Sequence, residues 1–115
     1  MSTKKPLIGI STNELTNFNG RQVSHSTGLR YVNAVANFTR GIPILIPSNI
    51  KDNDLDELLL RIDGLVLTGG RANIEPHHFG GKPFPPDEPI DIGRDEIVLN
   101  MIPKCVDLGI PIFGI

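Results

Sequence analysis

The sequence predicts an α/β protein built around a parallel, doubly wound sheet. Four short apolar runs are continuous rather than alternating, which is typical of strands that are covered on both faces. Segments with apolar residues at helical spacing separate these runs, so that the elements follow in the order β-α-β-α-β-loop-α-β. This order favours parallel strands joined by right-handed crossovers.

The four predicted strands are the apolar runs themselves. They occupy residues 6–12 (PLIGIST), 41–47 (GIPILIP), 63–70 (DGLVLTGG) and 109–115 (GIPIFGI). Each run is short and is bounded by glycine, proline or polar residues, as buried strands usually are.

The three predicted helices each carry an apolar face. The faces are formed by Leu29, Val32, Val35 and Ala36, by Leu55, Leu58, Leu59 and Ile62, and by Ile97, Met101, Cys105 and Leu108. Gly41 and Gly109 are expected to end the first and third helices, and Asn53 or Asp54 to cap the second. Pro103 lies inside the third pattern and lacks a backbone donor, so a kink or a break is expected there.

The segment 71–92 is predicted to be a long loop. It has no hydrophobic period and contains four prolines between Pro83 and Pro89. Loops of this length in compact domains are usually functional or disordered.

Composition limits the class of protein. The chain has 115 residues, of which 39% are hydrophobic and 21% charged, with a net charge of -2. This fits one small domain or a piece of a larger one, and it excludes the basic footprint of a nucleic-acid-binding protein. The single cysteine excludes an internal disulfide framework, and no signal peptide or membrane-length apolar stretch is recognisable. A cytoplasmic location without a membrane partner is expected.

The glycine turn Thr68-Gly69-Gly70 follows the third predicted strand, at the edge of the sheet where ligands bind in open α/β folds. Two glycines allow positive φ and bring N–H groups close to a phosphate, a carboxylate or a developing oxyanion. The alternative is a plain strand-exit turn. Neither a dinucleotide-binding nor a P-loop glycine motif is present.

Three other features have competing interpretations. His77 and His78 are adjacent and lack the spacing of paired zinc ligands, so a solvated loop is favoured and no metal is predicted. Cys105 falls on the buried face of the third helix, which indicates an inert structural thiol rather than a nucleophile. Arg94, followed by Asp95, opens that helix and reaches either the glycine turn, a substrate carboxylate or a surface ion-pair partner.

Four stretches taken together carry a resemblance. They are "YVNAVANFTRGIPILIP", "IDGLVLTGGRANIEPHHFGG", "DIGRDEIVLNMI" and "LGIPIFGI". In this order and at these distances they resemble the start of class I glutamine amidotransferase-like hydrolases, in particular the γ-glutamyl-γ-aminobutyrate hydrolase group of the peptidase C26 family. The resemblance extends from Leu7 to Ile115. It implies a flavodoxin-like three-layer fold that is incomplete in this chain, with residues 1–115 forming the N-terminal part of a single domain.

The resemblance also implies where the catalytic residues lie. In that family the strand matching "IPIFGI" runs into a cysteine nucleophile, and the catalytic histidine and its acidic partner follow much later. The nucleophile is therefore expected directly after Ile115, so that residues 1–115 hold none of the Cys-His-Glu triad and are inactive alone. The intact enzyme would cleave γ-glutamyl amides without a cofactor.

Some site residues within the chain match the family pattern. Gly69 and Gly70 match an oxyanion hole, with the Gly70 N–H as the donor. Asn73, Arg94 and Tyr31 match positions expected to bind the substrate. Two departures, Phe79 in place of the usual tyrosine and Pro103 in a normally smooth helix, leave the choice of substrate open.

Two rival interpretations come from other classes of function. The chain could be a stand-alone flavodoxin-like domain that holds a small anion at Gly69-Gly70 or binds a partner, or it could be a pseudo-enzyme. The coding sequence after Ile115 discriminates among these. A sheet that ends at Ile115 leaves apolar surface uncovered, so we expect a homo-oligomer or pairing with the missing C-terminal portion.

Overall fold

The secondary structure follows the predicted order with one addition. The computed structural model describes residues 4–115. The strands are β1 (Leu7–Ser11), β2 (Asn13–Asn17), β3 (Gln22–Ser26), β4 (Ile42–Ile46), β5 (Gly64–Leu67) and β6 (Ile112–Gly114). The helices are α1 (Leu29–Ala34), α2 (Asp52–Leu59) and α3 (Ile92–Leu108). A π-helical segment, Val35–Thr39, continues α1, and a 3₁₀ turn spans Pro76–His78.

The main sheet has four parallel strands in the spatial order β4-β1-β5-β6. Gly9 in β1 lies between Ile44 and Leu65, and Leu65 in turn lies opposite Ile112. The predicted parallel α/β sheet is confirmed. Because the strands are parallel, their carboxyl ends meet at one edge, where the loops carrying the candidate site begin.

The strands β2 and β3 form an antiparallel hairpin that the sequence analysis did not predict. Its turn contains Phe18, Asn19 and Gly20, all with positive φ, and is closed by the Arg21 N–H donating to the Phe18 carbonyl oxygen at 3.1 Å. The Asn19-Gly20 pair is a hairpin signal, because both residue types tolerate positive φ. The hairpin has few apolar residues, and hydrophobic period alone therefore missed it.

The larger core lies between the sheet and the helices α2 and α3. Its buried members are Ile46, Leu55, Leu59, Ile62, Leu65, Ile97, Val98, Met101 and Cys105. Gly9 in β1 faces this core, and a Cβ there would lie 2.7 Å from Ile46 Cδ1. Because glycine has no side chain at this position, Ile46 can pack directly against β1.

The opposite face of the sheet is covered by α1 and the π-helical segment over a smaller area. Ile10 and Val35 are buried there, whereas Leu29 and Ala36 are exposed, so the predicted apolar face of this helix is only partly correct. The π-helical segment ends at Thr39, and Arg40 rather than Gly41 adopts the left-handed conformation, with φ 58°.

The helix α3 begins and ends as predicted. The Asp91 side chain caps it, and Gly109 ends it in the left-handed conformation with φ 72°. Of the kink or break predicted at Pro103, the break is wrong, because the helix continues through this residue to Leu108, and the kink stays a prediction. Pro103 and Leu99 are on the exposed side, where water can donate to the Leu99 carbonyl oxygen that proline leaves without its donor. Leu108 is also exposed, contrary to the prediction.

The helix α2 begins earlier than predicted. Its N-cap is Lys51, and Asp52 is already helical, so the cap expected at Asn53 or Asp54 is wrong. Asp52 and Asp54 instead lie in the first turn, where their charges favour the helix dipole. Among the helices of residues 4–115, none has the length and apolarity needed to cross a membrane.

Candidate active site

The glycine turn leaves β5 at the carboxyl edge of the sheet and is tied to the neighbouring strands. The Thr68 N–H donates to Ser11 Oγ at 3.0 Å, which joins the ends of β5 and β1. On the other side, the Ile115 N–H donates to the Leu67 carbonyl oxygen at 3.0 Å. The residues that follow β5 and those that follow β6 are therefore held next to each other.

Close packing, rather than positive φ, explains why glycine occupies both positions of the turn. Neither Gly69 nor Gly70 has positive φ, contrary to what the sequence analysis allowed for. A Cβ on Gly70 would lie 3.0 Å from Asn13 Oδ1 and 3.3 Å from Arg94 Nη1. On Gly69 it would lie 3.2 Å from the Tyr31 hydroxyl oxygen. Glycine lets these side chains approach the backbone of the turn.

Arg94 is buried behind the glycine turn, with 8% of its side chain exposed. Its guanidinium donates from Nε to Asp95 Oδ1 at 3.0 Å and from Nη1 to Asn13 Oδ1 at 3.2 Å, and Nη2 donates to the Ala72 carbonyl oxygen. The burial excludes a surface ion pair. Arg94 instead joins the start of α3, the segment after β1 and the loop after the glycine turn.

Asp95 extends the same network. Its side chain is fully buried, and Oδ2 accepts a hydrogen bond from the Glu75 N–H at 3.0 Å. The Arg94–Asp95 pair therefore holds the loop at two points, Ala72 and Glu75. Removal of one partner of such a buried ion pair destabilises the folded protein, because the other charge is then buried without a counter-charge.

Asp91 connects the hairpin to α3. Its Oδ1 accepts from the Arg94 N–H at 3.0 Å as the helix cap, and its Oδ2 accepts from the Glu14 N–H at 2.9 Å. Both carboxylate oxygens are thus engaged in holding the structure together. The hairpin that the sequence analysis missed forms one wall of the site through this contact.

Two adjacent cavities meet at the glycine turn. A smaller one of about 270 Å³ is lined by residues that include Asn73, Arg94 and Ile115. A larger cleft of about 740 Å³ is lined by residues that include Tyr31 and the hairpin residue Asn13. Gly69 and Gly70 line both cavities. The structure therefore brings all five predicted site residues to one edge of the sheet, and their individual roles stay predictions.

The larger cleft also contains two arginines that the sequence analysis did not single out, Arg30 and Arg71. Both are exposed, and within residues 4–115 neither forms an ion pair with a carboxylate. The Arg30 guanidinium carbon lies 5.3 Å from the centre of the Tyr31 ring. Arginines of this kind can bind a carboxylate or another anionic group.

Cys105 is not part of this site. Its side chain is fully buried in the core cluster under α3, and this burial raises the pKa of the thiol. A protonated, inaccessible thiol is a poor nucleophile. The prediction of a structural cysteine is confirmed.

Comparisons with known proteins agree with this arrangement. The peptidase C26 family model matches residues 6–115. The γ-glutamyl-γ-aminobutyrate hydrolase PuuD of Escherichia coli (strain K12) is 34% identical over 87 residues, which cover 75% of this chain and 33% of that protein. A putative glutamine amidotransferase-like protein of Rickettsia prowazekii (strain Madrid E) is 28% identical over 117 residues, covering 97% of this chain and 40% of that protein. The chain thus spans a third to two fifths of the length of these relatives.

Proposed function

Because the chain belongs to the peptidase C26 family, we propose that it is the N-terminal part of a hydrolase that cleaves γ-glutamyl amides. A relative that is 34% identical carries the name γ-glutamyl-γ-aminobutyrate hydrolase, which supports this reaction class. In the proposed enzyme, residues 1–115 supply part of the oxyanion hole and of the substrate pocket. The nucleophile and its base come from a longer protein.

The observation that supports this proposal most strongly is the position of Ile115 beside the glycine turn. A Cβ on Gly69 would lie 3.9 Å from the Ile115 carbonyl oxygen, and Ile115 lines the smaller cavity together with Gly70. A residue joined to Ile115 would therefore begin next to the backbone of the turn. A nucleophile at that position needs an N–H donor close by, and Gly70 is our candidate for this donor.

The proposed chemistry is acyl transfer through a thioester. A cysteine thiolate attacks the γ-carbonyl carbon, and the Gly70 N–H stabilises the oxyanion of the tetrahedral intermediate. A histidine, oriented by an acidic residue, takes the thiol proton and gives it to the leaving amine. Water then attacks the thioester, which releases glutamate and restores the thiol. No step in this sequence needs a metal or an organic cofactor.

The cleft next to the turn suggests the kind of amide that the enzyme accepts. Arg30 and Arg71 have no carboxylate partners within the described residues, so they are available to an anionic group on the amine side of the substrate. We therefore propose a γ-glutamyl amide whose amine carries a carboxylate. Tyr31, Asn73 and Arg94 remain our proposed substrate-binding positions, with Arg94 acting through its contacts to Asn13 and Ala72.

The test starts from the coding sequence after Ile115 and continues with an assay. We expect cysteine as the next residue, with a histidine and an acid further on. A longer protein that includes them should release the amine from a γ-glutamyl amide, and the 115-residue chain should not. Cys105→Ser should leave the activity of the longer protein intact, because this thiol is buried. Hydrolysis by the 115-residue chain that disappears in Cys105→Ser would overturn the proposal.

A second candidate function is a small-anion-binding or interaction domain. The observation that favours it is that both arginines line the larger cleft beside Gly69 and Gly70. A stop codon directly after Ile115, or a longer protein without the triad, would favour this alternative or a pseudo-enzyme. The cytoplasmic location stays a prediction from the single cysteine and the lack of a recognisable signal peptide.

A further inference from the structure

Glu75, His77 and His78 form a cluster on the loop that follows the glycine turn; we name it the Glu-His-His cluster. One ligand atom from each side chain, a carboxylate oxygen and two ring nitrogens, lies within 4.8 Å of the other two. The two imidazole rings are tilted by 35° with their centres 4.0 Å apart. The adjacent histidines alone lack the spacing of paired metal ligands, and the structure adds Glu75 as a third group.

The backbone of the cluster is held in place from two sides. The Glu75 N–H donates to the buried Asp95 carboxylate at 3.0 Å, and Pro76 is buried. The 3₁₀ turn itself is closed by the His78 N–H donating to the Glu75 carbonyl oxygen at 3.1 Å. The three side chains therefore project from an ordered turn, and only their rotamers are free to adjust.

We propose that the Glu-His-His cluster binds one divalent transition-metal ion, with Zn²⁺ as the best match. Two imidazole nitrogens and one carboxylate oxygen are a ligand set that suits Zn²⁺ and leaves a fourth tetrahedral position to water. Bonds of about 2.0–2.2 Å to a tetrahedral ion place the ligand atoms roughly 3.3–3.6 Å apart. The side chains must close in by about an ångström, and both histidines are exposed and free to rotate.

This site is separate from the proposed active site. None of the three residues lines either cavity at the glycine turn. The proposal therefore does not depend on the hydrolase function. An ion bound here would connect three side chains of one loop segment that α3 already holds through Asp95, and it would stabilise the folded state by mass action.

The experiment is a calorimetric titration of the chain, without a polyhistidine tag, with Zn²⁺ in a buffer that does not chelate metals. We expect one ion per chain and a rise in Tm on saturation. His77→Ala, His78→Ala and Glu75→Gln should each weaken binding by at least about tenfold, since each removes a direct ligand. His25→Ala, which removes the histidine outside the cluster, should bind as the unmodified chain does.

A spectroscopic measurement tests the coordination geometry of the bound ion. Co²⁺ bound in place of Zn²⁺ should give the visible absorption of a tetrahedral or five-coordinate ion, and His78→Ala should abolish it. The proposal fails if no saturable binding is detected or if the three variants bind as tightly as His25→Ala. Circular dichroism of each variant, all altered at exposed or half-buried side chains, confirms that the fold is retained.

Discussion

Gly70 occupies a position where the backbone is packed directly against two polar side chains. Asn13 Oδ1 and Arg94 Nη1 would lie 3.0 Å and 3.3 Å from a Cβ at this residue, and these two atoms are hydrogen-bonded to each other at 3.2 Å. A methyl group would therefore press on a contact that is itself partly buried. The restriction comes from neighbouring atoms and not from the backbone dihedrals of Gly70.

We predict that Gly70→Ala destabilises the chain by about 1 kcal/mol, the lower end of the cost of an added methyl group, because Gly70 is exposed and the methyl group presses only on the Asn13–Arg94 contact. Chemical denaturation monitored by circular dichroism measures this. Gly114→Ala is the matched control, because a Cβ at Gly114 has no atom within 4 Å and no positive φ to strain. Equal stability of the two variants would contradict the packing at the turn.

At the level of elements, the first turn of α3 holds the loop after β5 through a single buried ion pair. Arg94 and Asp95 are adjacent in sequence, yet together they contact Asn13, Ala72 and Glu75. These contacts connect α3 to both segments that surround the glycine turn. The geometry of the turn therefore depends on a helix that starts more than twenty residues later in the chain.

We predict that Arg94→Met destabilises the chain by about 3–5 kcal/mol, because it leaves the buried Asp95 carboxylate without its partner. Arg94→Lys should recover only part of this loss, since an ammonium cannot reproduce the planar guanidinium's separate contacts. The double variant Arg94→Met/Asp95→Asn should be more stable than Arg94→Met alone. Denaturant unfolding of Arg94→Met, Asp95→Asn and the double variant measures the coupling, and strict additivity would argue against the pair.

A second contact between elements joins α3 to α2 on the surface. Lys104 Nζ lies 2.7 Å from Asp52 Oδ1 and 2.6 Å from Asp56 Oδ1, and Asn100 Nδ2 donates to the same Asp52 oxygen at 2.7 Å. The hydrogen bond from Lys104, followed by that from Asn100, lowers the pKa of Asp52 below its ordinary 3.8. The hydrogen bond to Asp52 likewise raises the pKa of Lys104 above its ordinary 10.5.

These shifts give a pH dependence at both ends of the scale. The contribution of Asp52 to the free energy of unfolding is present above pH 3.8 and is lost as the pH falls through its lowered pKa. The contribution of Lys104 is present below pH 10.5 and is lost as the pH rises through its raised pKa.

We predict that Lys104→Met returns the pKa of Asp52 toward 3.8, because it removes the hydrogen bond that lowers this pKa. Carboxyl NMR titration measures this pKa. Lys82→Met, at an exposed loop lysine, should leave it unchanged.

At the scale of the whole molecule, the sheet is covered unevenly. Ile10, Val66 and Phe113 lie side by side on the face opposite α2 and α3. Ile10 is fully buried, whereas 65% of Phe113 and 64% of the neighbouring Ile115 are exposed. An apolar surface next to an open strand edge favours association with another chain or another segment.

We predict that the 115-residue chain self-associates in solution, because burial of this surface removes apolar area from water. Sedimentation velocity over a concentration series measures the association. Phe113→Ser should weaken it, and Phe79→Ser, at a loop phenylalanine with a similar exposure of 67%, should not. A monomer at all concentrations, with cooperative unfolding, would contradict the prediction.

The elements with strong local signals were predictable. The four strands were identified by continuous apolar runs, and the end of α3 by Gly109, because these signals depend on neighbours in sequence. The prediction failed where the signal was weak or was overridden. The hairpin β2–β3 has little apolar period, and Pro103 is tolerated on an exposed helix side where water can compensate for the lost hydrogen bond.

The sequence by itself determined the class of fold, the edge of the sheet at which the glycine turn lies and the family to which the chain belongs. Only the tertiary structure decided how the site is held together. The contacts of Arg94 with Asn13 and Ala72 join residues that are 81 and 22 positions apart in the chain. Such pairings depend on long-range packing of strands and helices, which no local pattern of residues encodes.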